Sequence, residues 1–229
     1  MYIIVKKKML RSELIMKKIL LIAFLMCAVS ASAENIRLPE PEKTGGMTLL
    51  ESLTLRRTER EFADKDFNIQ ELSNLLYSAG GVNRPEGMLV YPVGMGVQDT
   101  KIYVIMREGV YEYNPQAHSL EQIEYGDHRS ECNPHNEIAG KASVNLVYVH
   151  DLDAWQKFMT GERPIPKEAA VRMGMFHSGA IMQNVYLFAA SQNWNCCVQG
   201  SFDNANLREL LKLNENQTIT LLHSVGVKP

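Results

Sequence analysis

KEAAVRMGMFHSGAIMQNVYLFAASQ, residues 167–192, is the longest helical pattern in the chain. Ala169, Ala170, Met173, Phe176, Ala180, Val185, Leu187 and Ala189 make it almost apolar enough to be buried all round, as in a central helix or one lining a subunit contact. Its flanks carry a different periodicity. Upstream, residues 101–106 and 110–113 alternate in the strand manner around Glu108 and Gly109, which predicts a hairpin that Asn114 and Pro115 terminate. Residues 143–149 form another β-rich run, followed by a loop holding Trp155, Pro164 and Pro166. Downstream, Asp203 caps a short helix carrying Leu207, Leu210 and Leu211, and residues 218–225 close the chain as a strand. The sum is an α+β fold, a central and mostly antiparallel sheet flanked by helices.

Two earlier helices announce their own starts. In TLLE, residues 48–51, the Thr48 hydroxyl and the Glu51 carboxylate can satisfy each other's free backbone donors, and Leu49, Leu50 and Leu53 then share one face. Asn68 and Glu71 repeat the arrangement ahead of a stripe of Ile69, Leu72, Leu75, Leu76 and Ala79, which Gly80 and Gly81 stop.

The N-terminus reads differently. MKKILLIAFLMCAVSASA, residues 16–33, has two lysines, an apolar run too short to span a bilayer comfortably, and small residues at Ala31 and Ala33. That order predicts a secretory signal over residues 1–33, with residues 1–15 as an upstream extension, and an exported, periplasmic protein. Phe24, Leu25 and Met26 lack the small residue expected before a lipidated Cys27. Residues 34–46, rich in proline and charge, read as an extended arm, and residues 47–229 as one domain. The chain has 24 basic and 26 acidic residues, a balance that argues against a nucleic-acid partner. Cys132, Cys196 and Cys197 remain beyond the leader, and an odd number does not make a disulfide framework.

Against that balance, LRRTEREF, residues 55–62, crowds Arg56, Arg57 and Arg60 around Thr58 at the close of the first helix. A solvated helix end is one reading, because arginine there offsets the helix dipole. An anion site is the other.

The order of features along the chain resembles the flavin-dependent nitroreductase family, and within it the branch similar to the azoline-oxidising dehydrogenases. The matching stretches are RRTEREF at 56–62, GGVNRP at 80–85, GVYEY at 109–113 with His118 and Leu120, and Gly126 with Asp127. NLVYV at 145–149, QNVYL at 183–187, and Val225 with Gly226 complete the series. The resemblance implies a homodimer with FMN at the interface. It implies Arg56 as a phosphate ligand, Arg57 and Thr58 as further donors, and Arg60 near the N1 and O2 side of the ring, where a cation stabilises the charge of the reduced flavin. Gln199 and Gly200 match the segment whose main-chain N–H reaches flavin N5. Gln98 is a candidate polar contact, and Lys228 falls where a second phosphate cation often stands. The flavin carries the chemistry, so no catalytic side chain is expected. The activity implied is hydride transfer in a ping-pong cycle from a reduced donor such as NADH or NADPH to a nitroaromatic, quinone or related acceptor. A peptide azoline oxidase, or a flavin- or ligand-binding protein without turnover, is the alternative. Val93 and Gly96 depart from the family pattern, which usually has a hydroxyl and an amide there.

The remaining constellations favour structural roles. His118, His128, Cys132 and His135 have tolerable zinc spacing, but no metal site is expected. Cys196 and Cys197 are adjacent, which allows a disulfide only with strained geometry, and their neighbours suggest burial. His177 and His223 sit in apolar stretches and read as satisfied core or interface residues. Tyr111, Tyr113 and Tyr125 fit sheet packing or a site lining equally well.

Overall fold

A computed structural model of the protein describes residues 35–229; the leader expected over residues 1–33 lies outside them. Strands β1 (Ile36–Arg37), β2 (Thr100–Met106), β3 (Gly109–Asn114), β4 (Ser119–Tyr125), β5 (Val144–Asp151), β6 (Trp194–Gln199) and β7 (Gln217–Val227) form a single sheet. Its order is β1-β4-β3-β2-β5-β7-β6, and each neighbouring pair is antiparallel. The expected hairpin joins β2 to β3, with Met106 opposite Gly109 across Arg107 and Glu108. The helices are α1 (Leu49–Leu55), α2 (Ile69–Gly80), α3 (Ile138–Lys141), α4 (Gln156–Met159), α5 (Lys167–Ser191) and α6 (Asn204–Leu210).

Alternation along the central strands explains the two layers. Val104, Leu146 and Tyr148 face one way and meet Leu72, Leu75, Leu76 and Ala79 of α2 and Ile181, Val185 and Ala189 of α5. Ile105, Val147 and Val149 face the other way and pack with Leu207 and Leu211 at α6. A strand covered on both faces needs no polar alternation, so β5 reads as one apolar run.

Both predicted capping boxes are present, at Thr48 with Glu51 and at Asn68 with Glu71. Gly81 accepts the role of stop after α2. Three expectations need correction. Ile69 is not part of the buried stripe; it is 48% exposed, because it sits in the first turn of α2 before that helix reaches the sheet. Helix α5 is not buried all round. Ala170, Gly174, His177, Ser178, Ile181, Val185 and Ala189 are buried, whereas Met175 and Phe176 face outward. The region after β5 is a 3-10 turn (Leu152–Trp155) and α4 rather than a bare loop, and it buries Trp155 completely.

The arm belongs to the same compact unit as the body, residues Asn35–Pro229. Ile36 pairs with Leu120, Leu38 N–H donates to His118 O at 3.1 Å, and Ser73 Oγ donates to Pro39 O at 2.6 Å. Among the described residues no helix is long and apolar enough to cross a membrane.

Candidate active site

Helix α1 ends at Arg56, whose N–H closes the last turn on Ser52 O at 2.8 Å. The chain then runs extended beside β6. Glu59 N–H donates to Cys196 O at 3.0 Å, Asn195 Nδ2 donates to Glu61 O at 2.8 Å, and Ala63 N–H donates to Val227 O at 2.9 Å. The first two bonds cover the edge of β6, and the third ties the arginine segment to the end of β7. Gly226 is required here, since a Cβ would overlap the Phe62 ring.

Tyr186 of α5 anchors the segment from below. Its hydroxyl accepts from Val198 N–H at 3.0 Å and lies 2.9 Å from Thr58 Oγ1, while the Arg56 guanidinium stands 5.3 Å from its ring centroid. Thr58 and Arg56 are thereby fixed on one aromatic platform. Arg56 acts on the Cys196 thiol and Arg60 on the Cys197 thiol, so the two guanidinium groups flank this pair. Burial nevertheless prevails and pushes Cys196 up to about 12 and Cys197 upward. Both are free, buried thiols without the electropositive exposure a reactive thiolate needs.

Arg57 and Lys228 line a cleft with Glu59, Tyr186, Asn193, Trp194, Asn195 and Cys196. Arg57 Nε lies 3.5 Å from Glu59, an exposed and weak pair. Among the described residues Arg56, Arg60 and Lys228 form no ion pair. Among the described residues Glu59, through its weak pair with Arg57, is thus the one carboxylate in an ion pair with this cluster. The fold brings Lys228 to the cleft that Arg57 lines and sets Arg56 and Thr58 on the Tyr186 side chain, with Arg60 near Cys197.

Gln199 ends β6 with its side chain turned inward, donating to Ser224 Oγ at 2.8 Å and accepting from Asn133 Nδ2 at 2.9 Å. Its side chain is thereby committed to the interior. Gly200 is exposed, and a Cβ there would meet no atom within 4 Å. Gln98 lies elsewhere, donating to Gly87 O at 3.0 Å, with Gln116 Nε2 3.5 Å from its own Oε1.

The turn carrying Val93 and Gly96 is built around a buried carboxylate that the sequence reading missed. Asp99 is fully enclosed and accepts from Trp155 Nε1 at 2.6 Å, from Thr100 Oγ1 at 2.9 Å, and from His177 Nδ1 at 2.6 Å. His177 Nε2 in turn accepts Gly94 N–H at 2.8 Å. Burial favours the neutral acid, but the contacts from His150, His177 and Trp155 outweigh it and hold the Asp99 carboxyl well below the usual range. This base supports a turn in which Met95 and Gly96 both have positive φ, 55° and 73°, and Val93 packs against the main core.

The zinc-spaced residues take separate partners. His118 lies 2.8 Å from both Ser73 Oγ and Tyr113 OH; His128 contacts Glu131 at 3.1 Å and Tyr125 O at 2.9 Å; Cys132 is buried. His223 is satisfied on one side only, with Nδ1 2.9 Å from Tyr148 OH. Burial lowers its pKa to about 3, so the fold keeps it neutral while an unfolded histidine titrates near 6.5. Unfolding takes up a proton between those values. Stability is therefore complete above about pH 6.5 and falls with pH below it, by up to about 1.4 kcal/mol per pH unit. Urea midpoints measured from pH 7 to pH 4 are expected to decline, and His223→Phe is expected to decline less steeply by one proton's contribution.

With this geometry, comparison with known proteins assigns the class. The Nitroreductase family model matches residues 53–227, and the chain belongs to the nitroreductase family, a family of oxidoreductases. It is 29% identical over 203 residues to a Methanocaldococcus jannaschii protein named as a nitroreductase, covering 85% of this chain and 96% of that one. A solved Ralstonia eutropha structure, also named as a nitroreductase, superposes with TM-score 0.78 at 32% identity, over 88% of this chain and 92% of that one. The E. coli microcin synthetase complex McbBCD contains a similar fold, with TM-score 0.62 at 19% identity, over 83% of this chain and 76% of that one.

Proposed function

We propose that the protein is an FMN-dependent oxidoreductase whose flavin lies along β6. The observation that carries this reading is the set of cations, Arg56, Arg60 and Lys228, held there without counter-ions among the described residues. A riboflavin phosphate matches that need, because it brings a dianion for forked guanidinium donors and a ring edge that gains charge on reduction. Arg56 binds the phosphate, with Arg57, Thr58 and Lys228 beside it, and Arg60 faces the N1 and O2 side of the ring. The main chain at Gln199 and Gly200 supplies a donor at N5, where Gly200 leaves the approach open. Bound FMN would supply hydride transfer between a reduced donor and an acceptor. No side-chain acid or base is needed, since solvent reaches this edge.

Two features support a homodimer in this reading. The cavity at Arg57 and Lys228 holds about 70 Å³ in one copy, far below the roughly 300 Å³ of an ordinary small-molecule site. Elsewhere on the surface, Leu49 and Leu50 of α1 are 63% and 76% exposed, and Phe176 of α5 is 62% exposed. A second copy covering these faces would complete the walls and bury the apolar surface. NADH or NADPH as donor, a quinone or nitroaromatic as acceptor, a ping-pong order and an exported location complete the proposal.

The absorbance spectrum of the purified protein, with its released cofactor identified, tests it. Yellow protein that bleaches with dithionite and recolours with a quinone is the expected result. Colourless protein that takes up no FMN supplied in excess refutes the reading.

A further inference from the structure

The segment that separates the zinc-spaced residues has another use. Asn133 follows the 3-10 turn Arg129–Cys132, is 1% exposed, and directs its amide at the end of β6. Nδ2 donates both to Gln199 Oε1 at 2.9 Å and to Ser201 O at 2.7 Å, while Oδ1 accepts His135 N–H at 3.2 Å. Gln199 Nε2 continues to Ser224 Oγ at 2.8 Å, Ser224 donates to Asn145 Oδ1 at 2.6 Å, and Asn145 Nδ2 donates to Ala139 O at 2.9 Å.

This relay has a fixed direction. Ala139 O at one end and Ser201 O at the other can only accept, so one member must donate both ways: Asn133 Nδ2 does, while Gln199 and Asn145 each present an oxygen to one neighbour and a nitrogen to the next. The four side chains of the relay, Asn133, Gln199, Ser224 and Asn145, are all buried and paired, which makes the orientation costly to reverse. Its effect falls on one place. The chain leaves the sheet at Gly200 with open space in front, and Asn133 grips Gln199 and Ser201 on either side of it from behind. A second bond, Asp203 N–H to Cys132 O at 3.2 Å, ties the same two segments.

We propose that Asn133 is a positioning residue for hydride transfer: its amide, through Gln199 and Ser201, sets the direction of the main-chain donor at Gln199 and Gly200. The inference rests on the FMN reading above. An N–H aimed at the reacting ring atom alters the relative stability of oxidised and reduced flavin only while its direction is held. Asn133 touches neither phosphate cation, so it governs reactivity rather than affinity.

Asn133→Asp keeps the size but places a carboxylate against two carbonyl oxygens, Gln199 Oε1 and Ser201 O. In the full chain loaded with FMN, the rate at which p-benzoquinone reoxidises dithionite-reduced protein is expected to fall roughly 10- to 100-fold, the scale of a small misplacement at a reacting centre. The midpoint potential is expected to shift, with FMN affinity within about threefold of wild type. Asn133→Ala is expected to behave likewise. Folded variants with wild-type rate and potential overturn the inference. Should neither variant fold, the wild-type protein decides: hydrogen exchange of the Gly200 amide is expected to slow at least about tenfold when FMN is added, and unchanged exchange in FMN-loaded protein overturns the inference. A wild type that binds no FMN removes the functional reading itself, a result distinct from either of these.

Discussion

Arg56→Ala is expected to weaken FMN binding by roughly 10- to 100-fold, because a hydrogen bond to a charged partner contributes about 1.5–3 kcal/mol. The variant is a clean test because Arg56 does little for the fold. Its guanidinium is partly exposed and its stabilising contact is the Tyr186 ring at 5.3 Å, a contact of about 0.5–1 kcal/mol at such a site. The N–H that closes α1 belongs to the main chain and survives. Melting temperature should therefore hold while flavin occupancy drops. Arg56→Lys should fall between the two, since lysine keeps the charge and loses the fork. Fluorescence titration with FMN measures both, and undiminished affinity in R56A removes Arg56 from the phosphate site.

Asp99→Ala is expected to destabilise the protein by about 3–5 kcal/mol, the cost of removing one member of a buried hydrogen-bonded charge cluster. Trp155 Nε1 and His177 Nδ1 lose their acceptor in an enclosed site. His150, whose ring nitrogens have no hydrogen-bond partner among the described residues, loses the nearby carboxylate at 3.4 Å. Asp99→Asn separates the charge from the geometry. To accept from Trp155 the amide must point its NH2 at His177, which then needs the tautomer with Nε2 protonated, and that proton faces the Gly94 N–H. The turn at Gly94–Gly96 should loosen even in a folded D99N protein. Chemical denaturation measures the first effect, and faster hydrogen exchange at Gly94 the second; D99A unfolding at the wild-type urea midpoint would refute the account. The pH dependence has a definite sign. A carboxylate held below its unfolded value of about 3.9 contributes stability above that pH, and the contribution is lost as pH falls toward its depressed folded value.

Much of the fold was legible because it is local. The capping boxes at Thr48 and Asn68 need only side chains three residues apart, and the hairpin at 106–109 needs only alternation. Strands β4 and β6 carry no such local signal. SLEQIEY carries polar residues at positions the sheet leaves partly open, and the WNCCVQ run draws its burial partly from β7, which lies beyond α6 in the chain. The arginine segment was visible as an excess of charge in a balanced chain. Asp99 and Asn133 were not, since one aspartate or asparagine among many gives no signal until its partners are known.

The sequence alone determined the element types around α5, the family, and the residue types able to hold a phosphate, since each depends on neighbours in the chain or on composition at one spot. Only the tertiary structure decided which of those residues share an edge. Lys228 joins Arg57 in the cleft beside β6 while Gln98 does not, and Asn133 stands behind Gly200, because antiparallel pairing and helix packing bring together groups more than sixty residues apart.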